Sequence, residues 1–363
     1  MRRVIPGWVK WPRLDFPLLT GLLLLMSFGL IVLYSASGEN MDVVYRQATR
    51  LAVGLASLLV LSQVPPHIFR IWTPWLYAMG LVLLLATWAV GVGRGADRWL
   101  DFGLFRFQPS EIMKLAVPMM MAWYLHPRHL PPEPLSILVS CLILAIPAVL
   151  IARQPDLGTA LLVAVSGGFA LFLSGLQWRI ILGMAALAAA AAPALWMVMH
   201  EYQRNRVRTF LDPESDPLGS GWNIIQSKIA VGSGGLTGKG WLNGTQSRLE
   251  FIPERHTDFI LAVLSEELGL LGVLVLFALY VFIVGRGLYI ASLARSTYTR
   301  LLAGSLSLTF FVYVLVNAGM VSGLLPVVGV PLPLVSYGGT SVVTLLAGFG
   351  ILMSIYGHRN FIR

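Results

Sequence analysis

Charge is scarce in this sequence. Only 12% of its 363 residues are Asp, Glu, Lys or Arg, about half the share of a soluble domain. Acids are scarcer than bases, 17 against 26. With 56% hydrophobic residues and a mean hydropathy of +0.75, most of the surface has to face lipid. The net charge of +9 comes from basic residues set singly between apolar blocks. The absence of a Lys/Arg-rich run argues against nucleic acid; orientation in a membrane and contact with anionic headgroups account for such charges. Cysteine is nearly absent as well. Cys141 stands alone in an apolar run, which excludes an intramolecular disulfide and a cysteine zinc site.

What the chain has is long apolar runs. About 20 apolar residues cross a bilayer, and ten runs qualify, at roughly 15–36, 48–64, 71–92, 108–126, 133–152, 156–175, 178–200, 258–285, 298–322 and 338–357. The first exceeds the apolar core of a cleaved signal, about 7–15 residues, and reads as a retained helix. The expected fold is an all-α polytopic membrane protein of about ten transmembrane helices, a single integral membrane domain over 1–363. It carries a large ordered extracytoplasmic loop, 201–257, between spans seven and eight, and a re-entrant segment before the last span. Twelve basic residues lie on the side of the termini and six opposite, with seven more in the long loop. Setting that loop aside, the termini are expected in the cytoplasm. Basic residues held outside against this bias call for an anionic ligand there.

The 201–257 loop has structure of its own. Arg204-Asn205-Arg206-Val207-Arg208 leads to a turn at Asp212-Pro213, and Trp222, Ile225 and Ile229 share one face of an expected short surface helix. Gly232 to Gly240 fails as a nucleotide phosphate loop, since Ser233 and Gly240 occupy its defining positions. Its N–H groups, with Lys239 beside them, fit either an anion cradle or a purely conformational turn.

Ionisable groups inside spans mark function by default. Glu111 and Lys114 lie at i, i+3, so they share a face and either neutralise each other or line a cavity. Asp156 opens the sixth span, where a helix N-terminus favours a negative charge. Asp258 opens the eighth, after Glu254-Arg255-His256-Thr257. It reads as a helix cap or as a general base at the membrane surface, with Arg255 and His256 to tune it. The segment 321–340 has no charge and is broken by Gly323, Pro326, Gly329, Pro331 and Pro333. Irregular backbone at membrane depth has to be buried or line a cavity, and Ser336 and Thr340 offer it neutral hydrogen bonds. His126 and His129 have metal-ligand spacing but no third partner.

Several of these blocks carry a resemblance. Asn317 to Ser341 with Ser336-Tyr337-Gly338-Gly339-Thr340-Ser341, together with Phe251 to Phe259, Gln108-Pro-Ser-Glu111 and Gln154 to Thr159, is similar to the shape, elongation, division and sporulation (SEDS) family of cell-wall polymerases. Gly232 to Gly240 and Gly244-Thr245-Gln246-Ser247 resemble its rod-shape branch more than its septal branch. The resemblance implies a peptidoglycan glycosyltransferase that polymerises lipid II at the outer face of the cytoplasmic membrane, with inversion at C1 of the donor sugar. It places the family's essential aspartate at Asp258, which would deprotonate the acceptor hydroxyl. It also implies a class B penicillin-binding protein as partner, with membrane lipid around and no nucleic acid. Cations for the pyrophosphate are expected at Arg46, Lys114, Arg98 and Lys239, with Glu111 either supporting Lys114 or contacting the ligand. No cofactor is demanded; a divalent cation such as Mg2+ or Mn2+ is compatible with the chemistry, but no ligand cluster calls for one. A lipid II flippase is the main alternative and a non-catalytic scaffold a third. The outer clustering of polar residues favours the enzyme.

Overall fold

The computed structural model describes residues 14–91, 98–101, 103, 106–199, 201–213, 221–248 and 254–358. Of the basic residues used to orient the chain, Arg2, Arg3, Lys10, Arg13, Arg94, Arg359 and Arg363 lie outside them, as does Pro253.

Each expected span coincides with one helix: α1 (Phe16–Ala36), α2 (Met41–Gln63), α3 (Pro66–Val90), α4 (Pro109–Leu125), α5 (Pro134–Arg153), α6 (Leu157–Leu173), α7 (Trp178–Val198), α11 (Ile260–Leu293), α12 (Thr297–Val321) and α13 (Thr340–Gly357). Between α7 and α11 come α8 (Glu201–Leu211), α9 (Trp222–Ser233) and the single turn α10 (Thr245–Arg248). Seven helices are long and apolar enough to cross a membrane: α1, α2, α3, α5, α11, α12 and α13. The chain is a multi-pass membrane protein. Strands β1 (Leu100–Asp101) and β2 (Arg106–Phe107) form a two-residue antiparallel pair that the sequence did not announce.

Helix starts follow the sequence closely. Pro stands in the first turn of α1, α3, α4 and α5, where its missing N–H costs nothing. Asp15, Asn40, Asp156 and Ser296 cap their helices through side-chain oxygens. Close packing rests on small residues. A Cβ at Gly54 would meet Leu346, and one at Gly350 would meet the Leu58 backbone, so α2 and α13 lie in close contact. Of the seven spans α12 is the most buried, and it packs on α4, α6 and α11.

The arginine-rich stretch of the long loop lies on a helix, α8. α9 forms as expected, and the face it turns to the protein is not the one that carries Trp222, Ile225 and Ile229. Ile224, Gln226, Ser227 and Ala230 are buried against α11 and α12, while Ile229 is exposed. The small polar face wins because Ser227 donates to the carbonyl of Val321 at 2.9 Å.

Candidate active site

Helices α4, α6, α11 and α13 all begin around one cavity. Gln108 precedes α4, Asp156 caps α6, Asp258 precedes α11, and Gly339-Thr340 opens α13; all five residues line a space of about 310 Å³. Each helix start brings a partial positive charge from its N–H groups. Four of them converging make a place for an anion.

The remaining wall is the segment between α12 and α13, irregular and charge-free as expected. Its backbone polar groups are met from outside. Asn317 donates one amide hydrogen to the carbonyl of Asp258 and the other to that of Val330, both at 2.8 Å. Gln47 of α2 donates to the Ser336 carbonyl and accepts from the Gly338 N–H. Tyr337 N–H donates to the His256 carbonyl, and Tyr280 OH to the Pro333 carbonyl. Gly329 lies at φ 73°, left-handed backbone that glycine adopts freely, and an added Cβ would stand 3.6 Å from Asp258 Oδ2. One asparagine thereby fixes both the carboxylate-bearing turn and the segment facing it.

Asp258, Arg98, Glu111, Lys114, Asp156, Ser336 and Thr340 all line the cavity. Burial, with Glu254 adding to it, pushes the Asp258 carboxyl up to about 6, while the Arg206 guanidinium pulls it down. Lys114 is paired with Glu111 at 2.6 Å and sits 5.4 Å from the Tyr313 ring centre. That leaves Glu111 Oε2 buried without a hydrogen-bond partner. Asp156 accepts from Thr159 N–H at 3.1 Å and from Gln108 Nε2 at 3.0 Å. Arg98 reaches Asp156 at 4.0 Å, but its donors go to the carbonyls of Gln154 and Pro155. Ser336 Oγ is committed to Thr257 and Leu332, so it folds the wall.

Other residues singled out from sequence stand elsewhere. Arg46 is exposed and bonds the Asp42 carbonyl of its own helix. One turn on, Arg50 donates to the Gly338 carbonyl and covers the Tyr337 ring at 4.4 Å, so Arg50 is the α2 arginine that reaches the cavity wall. Lys239 is 2.7 Å from Glu266, away from the cavity. The N–H groups of Lys239 and Gly240 donate to the carbonyls of Glu266 and Glu267, so these N–H groups are not free for an anion. His256 packs edge-on against Tyr337, 5.9 Å between ring centres, behind the wall, and Arg255 lies near Gly38. Arg206 and Tyr313 line the cavity without having been singled out as site residues. For Arg206 the signal was there: in Arg-x-Arg-x-Arg on a helix, the middle residue points opposite to the other two. Among the described residues no three of His, Cys, Asp and Glu are placed to hold a metal ion. The carboxylates of Asp258, Asp156 and Glu111 therefore do not make a ready ligand set for a divalent cation.

A family model named for FtsW, RodA and SpoVE, and described as a cell cycle protein, matches residues 16–360. The chain belongs to the FtsW/RodA/SpoVE family. The peptidoglycan glycosyltransferase MrdB of Escherichia coli strain K12 is 55% identical over 352 residues, 96% of this chain and 95% of that protein. A probable peptidoglycan glycosyltransferase FtsW of Trichlorobacter lovleyi is 37% identical, over 94% of this chain and 92% of its own. Among solved structures, a chain from a peptidoglycan synthase complex, described as coordinating polymerization and crosslinking, superposes with a TM-score of 0.84 at 32% identity, covering 96% of this chain and 99% of that one. The rod shape determining protein RodA of Thermus thermophilus superposes with a TM-score of 0.73 at 27% identity, over 98% and 99%. Family membership fits a cavity built from the blocks that carried the resemblance: Gln108 to Glu111, Gln154 to Thr159, Thr257-Asp258 and the segment before α13.

Proposed function

We propose that this chain is a peptidoglycan glycosyltransferase that extends glycan strands from lipid II, with Asp258 as its general base. The observation that carries this is a half-buried carboxyl lifted to about 6, facing a cavity that also holds cations and four helix N-termini. A base of that strength is largely ionised at neutral pH yet takes a proton more readily than an ordinary aspartate.

The acceptor is the C4 hydroxyl of an N-acetylglucosamine. As its oxygen forms the bond to C1 of the donor N-acetylmuramic acid, its proton passes to Asp258. The bond from C1 to the phosphate oxygen breaks on the opposite face, which inverts C1. The undecaprenyl pyrophosphate leaves with the electron pair. Its growing charge is met by Lys114, Arg98 and the N–H groups at the helix starts, the arrangement that lowers such barriers most. The cavity would face outward, with the termini in the cytoplasm and the chain in the cytoplasmic membrane. A class B penicillin-binding protein fits as partner, as the similarity to a chain of a peptidoglycan synthase complex supports.

A lipid II flippase would need polar groups along the whole crossing. Beyond Glu111 and Lys114 the adjoining space is walled mainly by Leu306, Phe310, Leu345, Phe349 and Leu352. Apolar packing there favours a reaction at one face.

The test is polymerisation of labelled lipid II by the purified complex with its partner. Asp258→Asn keeps the size and removes the base, and is expected to lower the rate by about 10²- to 10⁴-fold. Normal polymer from Asp258→Asn would remove the mechanism, and no polymer from the unaltered complex would remove the activity.

A further inference from the structure

The three arginines of α8 divide their work. Arg204 donates to the carbonyls of Trp196 and Met197 and pairs with Glu201 at 3.4 Å. Arg208 pairs with the same Glu201 at 2.8 Å and bonds Asn205. Residues i and i+4 share a helix face, so both brace α8 through Glu201, and Arg204 also ties it to the end of α7. Arg206 lies two residues from each, rotated by about 200°. It lines the cavity, half-buried, with Asp258 and Thr257.

Its state differs from that of the other cavity cations. Lys114 is already paired with Glu111, and Arg98 already gives its Nε and Nη2 donors to two backbone carbonyls. Arg50 bonds the Gly338 carbonyl on the wall. Among the described residues Arg206 makes no hydrogen bond and no ion pair within 4.0 Å. A half-buried guanidinium with no hydrogen bond among the described residues has its five donors available to a ligand. Its planar fork matches the paired oxygens of a phosphate.

We propose that Arg206 is a further phosphate-binding residue of the cavity, donating to the diphosphate of the polyisoprenyl-linked sugar substrate. This deepens the glycosyltransferase reading and rests on it. Arg206 is carried by α8, between the spans, and Lys114 by the expected span α4, and both line the same cavity. Diphosphate bound between them brings the donor beside Asp258 and neutralises a charge that would otherwise weaken binding.

The test separates binding from chemistry. Lipid II binding is measured on the full-length complex in the Asp258→Asn background, where turnover does not intervene. Arg206→Gln is expected to weaken binding roughly 10- to 100-fold, the usual loss for a charge-assisted hydrogen bond. Arg206→Lys should recover only part, because an ammonium lacks the fork. Arg208→Gln, on the other face of the same helix, should bind normally, and excess farnesyl pyrophosphate should compete with lipid II for the unaltered protein but lose that advantage in Arg206→Gln. Thermal melting of each variant in detergent reports folding, and Arg206→Lys serves if Arg206→Gln does not fold. Unchanged affinity in Arg206→Gln, with a pH–rate profile moved upward and KM unaltered, would show that Arg206 only tunes Asp258 and overturn the proposal. Intact binding by a complex that makes no polymer would instead count against the glycosyltransferase reading.

Discussion

A carboxyl lifted to about 6 works against the fold at neutral pH. The folded state holds the Asp258 proton more tightly than the unfolded chain, whose aspartates titrate near 3.9. Between about pH 4 and 6 the folded state therefore binds more protons, and stability falls as pH rises through that window. Two consequences follow with opposite signs. Asp258→Asn is expected to melt higher than the unaltered protein at pH 7 to 8, by on the order of 2 kcal/mol after allowing for partial exposure, and the gap should close below about pH 4. The polymerisation rate should rise with pH through about 6, since only the ionised carboxyl accepts the proton. Melting curves and rates across pH 4 to 8 check both, and a rate that falls on going from pH 5 to 7 would remove Asp258 as base. Asp258 stands out in the sequence as an acid at the mouth of an apolar run, where a helix cap and a base are both open readings and the resemblance favours the base. The α2 arginine does not. Arg46 and Arg50 lie one turn apart on the same helix, and sequence offered nothing to say that the second bonds Gly338 while the first faces away.

Among the elements, α11 shows how a buried charge can serve architecture. Glu266 and Glu267 lie within a span, where ionisable groups mark function by default, and Glu266, eight residues past Asp258, is expected on a similar helical face. That extrapolation fails because Asp258 precedes the helix, whose N-cap is Phe259. The Glu266 carboxylate instead takes Lys239 Nζ at 2.7 Å, Thr245 N–H at 2.9 Å and Oγ1 at 2.8 Å, and Gln246 N–H. Glu267 takes Ser35 of α1. The helix breaks at Gly269, φ 63°, and the turn at 234–240 fills the gap: Leu270 and Leu271 N–H donate to the carbonyls of Gly235 and Leu236. Glycine is required on both sides, since a Cβ at Gly269 would stand 2.3 Å from Gly238 N. Gly269→Ala is expected to cost about 2 kcal/mol or more through strain and contact, read as a lower melting temperature in detergent. Glu266→Gln should speed hydrogen exchange at the Thr245 and Gln246 amides about tenfold or more. Lys239→Gln should do less, because that ammonium is 30% exposed. Exchange unchanged in Glu266→Gln would mean the turn is held by its backbone contacts alone. Sequence showed that the glycine stretch is a turn, but not that it caps a broken helix, because its partner lies some thirty residues on.

On the scale of the whole molecule, one topological fact places the chemistry. A chain that crosses repeatedly starts every second helix on the same side, and α2, α4, α6, α11 and α13 are the second, fourth, sixth, eighth and tenth expected spans. The positive ends of the last four meet at the cavity, so the bundle collects an anion-binding end without any cluster of like charges in sequence. The ion pair of Asp15 with Arg286, 2.8 Å, belongs to the opposite end. The apolar runs made the helices legible and their even number made this end shared, but which of the starts converge depends on packing between helices far apart in sequence. The excess of basic residues near the termini then predicts which way the cavity faces. Cys141 is the single native cysteine, so a Cys141→Ser background permits single reporters. Asp212→Cys, after α8, should react with a membrane-impermeant maleimide in intact spheroplasts. His129→Cys, exposed between α4 and α5, should react only after permeabilisation. The reverse pattern would turn the four helix N-termini, and Asp258 with them, toward the cytoplasm, where a glycan strand built in this cavity would lie on the wrong side of the membrane from the wall.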